Sequence, residues 1–127
     1  MQQRGRMLEF TGLEIPDDAR LMEVGDGLKV TQIRLGTARL THCMRWTGLA
    51  KRSLAIALHY VAMRQSHGRA LATLDSVQRM LAEAAMQVEI GRMLTMRAAA
   101  KLDAGDFARK EISMAKVVVA DALQRAV

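Results

Sequence analysis

The stretch Asp75-Ser-Val77-Gln-Arg-Met80-Leu81-Ala-Glu-Ala84-Ala-Met-Gln-Val88-Glu-Ile-Gly91-Arg-Met-Leu94-Thr-Met-Arg-Ala98-Ala-Ala-Lys-Leu102-Asp-Ala104-Gly105-Asp106 decides the fold. Val77, Met80, Leu81, Ala84, Val88, Gly91, Leu94, Ala98 and Leu102 recur three or four residues apart, which puts them on one face of a helix. Asp75 and Gln78 read as a capping-box start. At the far end Gly105 is free to take the left-handed conformation, and Asp106 follows as a cap for the next helix. So tight a turn makes the two helices antiparallel neighbours. In the third helix Ile112, Ala115, Val119, Ala122 and Ala126 form a stripe still running at Val127.

Upstream, a long helix is expected from Leu28 to about Gln65. Leu40, Met44, Thr47, Leu54, Leu58 and Val61 form its stripe, and Gly36 marks a break near its start. Asp26 is placed to cap it, inside a Gly25-Asp26-Gly27 loop. Before that, Leu8, Phe10, Leu13 and Ile15 alternate in part, so Met7 to Ile15 reads as a short strand, closed by a turn at Pro16-Asp17-Asp18. The whole is an all-α, up-and-down helical bundle with a short N-terminal strand or extended segment, incomplete by at least one helix. Residues 1–24 form the extended part and linker, and 25–127 the bundle.

Composition agrees. With 127 residues, 50% hydrophobic and only 3% aromatic, there is one domain and a core of Leu, Ile, Val, Met and Ala. The single cysteine, Cys43, excludes an internal disulfide and reads as a buried thiol in a reducing, cytoplasmic setting. No signal-peptide pattern and no apolar run long enough to span a bilayer is expected. The net charge of +6 is unevenly spread. Between Asp26 and Asp75 lie eight cations (Lys29, Arg34, Arg39, Arg45, Lys51, Arg52, Arg64, Arg69) and no acid, while the remainder nets −2. Such a segment suits phosphates or is simply a solvated face.

Other signals are weak. Gly25-Asp26-Gly27 lacks the third glycine of a dinucleotide loop and reads as a turn. His42, His59 and His67 lack metal-ligand spacing, so no metal is expected. His42 and Cys43 are sequence neighbours pointing to different helix faces, which argues against a catalytic pair. The cations are interleaved with core-type residues and no aromatic cluster offers stacking, so nucleic acid is not the expected partner. At Arg64 to Gly68 an arginine, a serine and a glycine loop follow a helix end, where diphosphate oxygens could be gripped. That is the wrong dipole end for an anion, so the guanidinium must do most of the holding.

Arg34-Leu-Gly-Thr-Ala-Arg39-Leu-Thr-His-Cys-Met-Arg45, followed by Thr47-Gly48-Leu49-Ala50, resembles the opening of the C-terminal helical domain of the FAD-dependent acyl-CoA dehydrogenases. Met63-Arg64-Gln65-Ser66-His67-Gly68-Arg69 resembles that family's Arg-x-x-Phe-Gly loop. Met80-Leu81-Ala82-Glu83 resembles its second helix, and Lys110-Glu111-Ile112-Ser113-Met114-Ala115-Lys116-Val117 its third. This last run is similar to the branch fused in animals to a kinase-like domain.

The resemblance implies FAD contacts by Arg64, Ser66 and His67, with the cofactor held mainly by a neighbouring subunit. Asp75 stands where a cofactor-binding glutamine is typical. Arg39 matches an arginine near the thioester and flavin, which makes it the substrate-binding candidate. The reaction implied is α,β-dehydrogenation of an acyl-CoA, with homo-oligomers formed through the bundle. One family location for the glutamate base is occupied by Ala38 and the other falls after Val127, so no catalytic residue is assigned and the isolated chain is expected to be inactive. Met7 to Ile15 resembles the last strand of the family's middle β domain. The alternative is a helical oligomerisation module without enzyme activity.

Overall fold

A computed structural model describes residues 7–127 of the chain. Three helices dominate: α1 (Gly27–Met63), α2 (Asp75–Asp103) and α3 (Arg109–Ala126). Between α1 and α2 lies a two-stranded hairpin, β1 (Gln65–Ser66) and β2 (Arg69–Ala70), followed by a 3-10 turn at Leu71–Thr73.

Each helix packs on both others, and the core contacts give their directions. Leu40 of α1 and Ala98 of α2 meet Ala108 and Ile112 in one layer. Cys43 of α1 meets Ala115 and Val119 in the next, flanked by Trp46 and by Leu94 of α2. As α1 and α3 numbers rise, α2 numbers fall, so the chain runs up, down and up, as the periodicity predicts.

The core is made of small side chains; Val119 and Cys43 are the largest that are fully enclosed. This draws the helices together at Gly91. A Cβ built there would lie 2.9 Å from Val119 Cγ2 and 3.9 Å from Thr47 Oγ1. The buried Thr95 hydroxyl donates to the Gly91 carbonyl at 2.7 Å, so its polarity is satisfied within its own helix.

The stripes expected for α2 and α3 are largely the buried ones. Ala84, Val88, Gly91 and Ala98 of α2 are buried, as are Ile112, Ala115, Val119 and Ala122 of α3. Met80 is an exception, 66% exposed. The stripe expected for α1 needs correction: Leu40, Cys43 and Ala50 are buried, while Met44 and Leu58 face outward. Apart from Leu40, close packing selects small residues at the fully buried positions of that helix, and Met44 and Leu58 are left outside the contact.

Four local expectations also change. Gly36 does not break α1, which is continuous from Gly27 to Met63; one helical glycine costs only about 1 kcal/mol, and the flanking turns absorb it. Asp26 makes no cap hydrogen bond; with φ −80° and ψ 6° its backbone is nearly helical, and its carboxylate lies 3.4 Å from Lys29 Nζ instead. Asp75 and Gln78 form no capping box: Leu74 is the N-cap, and Gln78 Nε2 donates to the Ala72 carbonyl at 2.8 Å. Met7 to Ile15 forms no strand, its apolar residues being exposed; a lone strand has no ladder partner and no face to bury. The first six residues of the 1–24 segment lie outside the described residues.

The α2–α3 turn is tied by charge. Gly105 takes φ 83°, as expected of a helix-ending glycine. Asp106 Oδ1 accepts from the Ala108 N–H at 3.0 Å; Ala108 is the N-cap of α3, so Asp106 lies two residues before the cap rather than forming it as expected. It thereby supports Ala108, which is buried at φ 47°, a conformation rare for a residue with a Cβ. Lys101 Nζ reaches Glu111 Oε1 at 2.7 Å and Asp106 Oδ2 at 3.4 Å.

The Gly91 contact sets a paired test. Gly91→Ala gains helix propensity but forces Val119 to move, so urea denaturation is expected to give a net loss of about 1–3 kcal/mol. Gly36→Ala, whose Cβ meets nothing within 4 Å, is expected to gain up to about 1 kcal/mol.

The turn sets a second test. The Lys101 ammonium holds the Glu111 carboxyl below its ordinary range, and the Ala108 N–H, with Lys101, does the same for Asp106. Lowered carboxylates stabilise the fold above their unfolded pKa, and that contribution is lost as pH falls through the folded values. The difference in melting temperature between wild type and Glu111→Gln is therefore expected to be constant near neutrality and to shrink below about pH 4.

Candidate functional site

The residues expected to grip a phosphate are gathered at the far end of α1. Arg64 is its C-cap, in extended conformation, with its N–H on the Tyr60 carbonyl. The chain then doubles back: Gln65 pairs with Ala70 and Ser66 with Arg69. The two residues between them, His67 and Gly68, have φ 51° and 78°, the doubly left-handed turn that matches strand twist in a two-residue hairpin. Only glycine takes this second position without cost, and a side chain there would project into open space.

The hairpin is fastened at its base. The Leu71 N–H donates to the Arg64 carbonyl at 2.8 Å, and the Thr73 hydroxyl to the Ala70 carbonyl at 2.7 Å. Gln78 ties the following 3-10 turn to α2. Ser66, His67 and Arg69 are thus held on one four-residue reversal, with Arg64 at its base. Neither guanidinium has a carboxylate within ion-pair distance among the described residues. Arg69 is the residue that motif reasoning passed over. Its signal is the register itself, since a two-residue turn at His67-Gly68 places it opposite Ser66. Asp75 is outside this reversal: it opens α2 beyond the 3-10 turn, where a carboxylate favours the helix dipole.

Arg39 belongs to the other end. Twenty-five residues of α1 separate it from Arg64, a rise of about 37 Å, so the two do not share one small ligand in a single chain. Arg39 lines a cleft of about 350 Å³ between α1 and the α2–α3 turn, with Thr37, Phe107 and Arg109 also on its walls. Its Nη1 donates to Gln32 Oε1 at 3.5 Å. The Arg109 guanidinium lies 5.8 Å from the Phe107 ring centroid. Ala38, the residue before Arg39, supplies no proton-transfer group.

Midway, Cys43 is fully buried, and burial pushes its thiol above the ordinary value despite the opposing Lys116 ammonium. Lys116 Nζ sits 3.3 Å from the Trp46 ring centroid, a cation–π contact, and His42 stacks on the same indole. This group belongs to packing, with the thiol enclosed in the core. Among the described residues no cluster of His, Cys, Asp and Glu could hold a metal ion. None of their helices is long and apolar enough to cross a membrane.

Comparison with known proteins converges on one family. The family model described as acyl-CoA dehydrogenase, C-terminal domain, matches residues 25–127. The acyl-CoA dehydrogenase family member 11 of Gallus gallus is 34% identical over 122 residues, covering 94% of this chain and 16% of the relative. The mitochondrial short-chain specific acyl-CoA dehydrogenase of Bos taurus is 35% identical, covering 91% and 28%. Among solved structures, butyryl-CoA dehydrogenase from Megasphaera elsdenii superposes with a TM-score of 0.84 at 30% identity, covering 92% of this chain and 30% of that one. The chain therefore spans less than a third of the length of these relatives. With the helices, their order and the matched segment in agreement, the chain belongs to the acyl-CoA dehydrogenase family, and its bundle is of that family's C-terminal domain type.

Proposed function

We propose that the chain is the part of a flavin-dependent acyl-CoA dehydrogenase that contributes FAD contacts and assembly surface, in an enzyme that α,β-dehydrogenates an acyl-CoA. The observation that carries this is the hairpin, with two exposed guanidiniums and a serine hydroxyl on a turn fastened to two helices. That donor set fits a diphosphate: guanidinium forks suit paired oxygens, and Gly68 leaves the approach open. Arg64, Ser66 and His67 would hold the cofactor, which supplies the hydride acceptor when bound. Asp75, a carboxylate where a glutamine is typical of the family, adds no donor.

Arg39 is the proposed substrate-side residue, its guanidinium in the cleft with that of Arg109. The distance along α1 supports a division of labour in which the hairpin and the cleft serve different ligands, or ligands of different subunits. No residue is proposed as the catalytic base, since Ala38 has no proton to exchange, and the chain by itself is proposed to be inactive. A cytoplasmic setting is retained as part of the proposal.

A second reading, a helical oligomerisation module without activity, is favoured by Ala38 and by the apolar side chains left outward. Met86, Ile90, Met93 and Met96 of α2 are all exposed, and neighbouring apolar side chains left outward on one helix suit a contact surface. The two readings share one expectation, association into dimers or tetramers. Light scattering at micromolar concentration is expected to give a mass above the 14.0 kDa of one chain; a monodisperse monomer contradicts it.

The flavin separates them. If the hairpin grips the diphosphate, Arg64→Ala is expected to weaken FAD binding by about 1.5–3 kcal/mol, the worth of a charge-assisted hydrogen bond. The check is a flavin-fluorescence titration. An unchanged curve would assign Arg64 to a solvated surface and leave the module reading.

A further inference from the structure

The register of the hairpin gathers three donors on one of its sides. Ser66 pairs with Arg69 and Gln65 with Ala70, and the Leu71 N–H on the Arg64 carbonyl carries the same register one step further, setting Arg64 opposite Leu71. Paired residues of an antiparallel ribbon project to the same side, and successive residues alternate along each strand. Arg64, Ser66 and Arg69 therefore share one side, while Gln65 and Ala70 take the other. Arg64 and Arg69 are diagonal neighbours across the ribbon, with backbones about 7–8 Å apart, so their long side chains can meet over one small ligand.

That placement restricts the ligand. Two cations on one side of a short ribbon repel each other, and from Gly27 to Leu74 there is no acidic residue to relieve them. Asp75, the first acid after the hairpin, forms no ion pair with either guanidinium among the described residues. A single carboxylate side chain, from this protein or from another subunit, would neutralise one cation and leave the second uncompensated. A single phosphate is likewise saturated by one fork. A diphosphate carries charge on each phosphate and enough oxygens for both guanidinium forks and the Ser66 hydroxyl. Beyond Arg69 the approach is clear, since even an added side chain at Gly68 would meet nothing within 4 Å.

We propose that Arg69 is the second phosphate ligand of the hairpin, and that Arg64 and Arg69, one from each side of the turn, make it select a ligand with two linked phosphates over one with a single phosphate. This rests on the reading of the hairpin as the anion-holding element, and adds to it the residue that sets which anion is held.

The test titrates the whole chain with FAD and with flavin mononucleotide, and separately with inorganic pyrophosphate and orthophosphate, following the amide shifts of the hairpin. The unsubstituted chain is expected to bind each two-phosphate probe more tightly than its one-phosphate counterpart. Arg69→Gln is expected to weaken the two-phosphate probes about tenfold and to leave the others within about twofold, so that the preference collapses. Arg69→Lys, which keeps the charge without the fork, is expected to recover part of it. Arg45→Gln removes the same charge from an exposed position of α1 outside the hairpin and is expected to change nothing. Unchanged circular dichroism checks that the variants remain folded. No preference in the unsubstituted chain, a preference that survives Arg69→Gln, or an equal loss for all four probes would overturn the proposal; the hairpin reading would still stand if Arg64→Ala weakened FAD binding. An Arg69-dependent preference for pyrophosphate without FAD binding would uphold the arginine pair and remove the flavin as its ligand. Hairpin amides that respond to none of the four probes would overturn both.

Discussion

The close approach at Gly91 is the constraint on which the rest depends. Three helices meet there, with Val119 of α3 against the glycine of α2 and the Thr47 hydroxyl of α1 alongside. Such packing needs the absence of a side chain at one position, and small buried residues elsewhere on the same helices, Ala84, Ala98, Ala115 and Ala122, continue it. Thr47 and Thr95 enter this space because each hydroxyl donates to the carbonyl four residues back in its own helix. Dispersion and area burial over a tight contact compensate for a core almost without large side chains. The consequence appears on the surface, where leucine, isoleucine and methionine excluded from the contact are left exposed.

The same packing makes α1 an unbroken spacer. It is clamped by α2 and α3 through Leu40, Cys43 and Ala50; Arg39 lies beside Leu40 in its N-terminal half, and the hairpin follows its C-terminal end. At one end the α2–α3 turn, held by Lys101, Asp106 and Glu111, forms the wall of the cleft that contains Arg39. At the other, the hairpin is anchored by Leu71 and Gln78. The left-handed residues Ala108 and His67 lie in the two reversals, where a hydrogen bond or strand pairing supports them.

How much of this was legible in the sequence depended on residue size. In α2 and α3 the buried line is periodic in Ala, Val, Ile and Gly, and periodicity alone finds it. In α1 the buried residues are Leu40, Cys43 and Ala50; a search for large apolar residues finds Leu40 but takes the exposed Met44 and Leu58 in place of the smaller Cys43 and Ala50. Capping is not legible in residue type alone because it depends on backbone angles: Asp26 is nearly helical and its carboxylate faces Lys29. The strand at Met7 to Ile15 was misread because alternation cannot reveal a missing partner. The candidate site was legible by resemblance at Arg64, Ser66 and His67, yet the role of Arg69 needs the strand register, and the remoteness of Arg39 follows only from the unbroken helix between them.

The central claim is that the hairpin after α1 is the anion-holding element of this bundle. Amide chemical shifts of the isotopically labelled chain, followed as FAD is added, test it most directly. The account predicts concerted, saturable shifts at Arg64, Gln65, Ser66, His67, Gly68, Arg69 and Ala70, with the amides around Arg39 and Phe107 undisturbed. Saturable shifts centred on the cleft, or none at the hairpin at any flavin concentration, would contradict it.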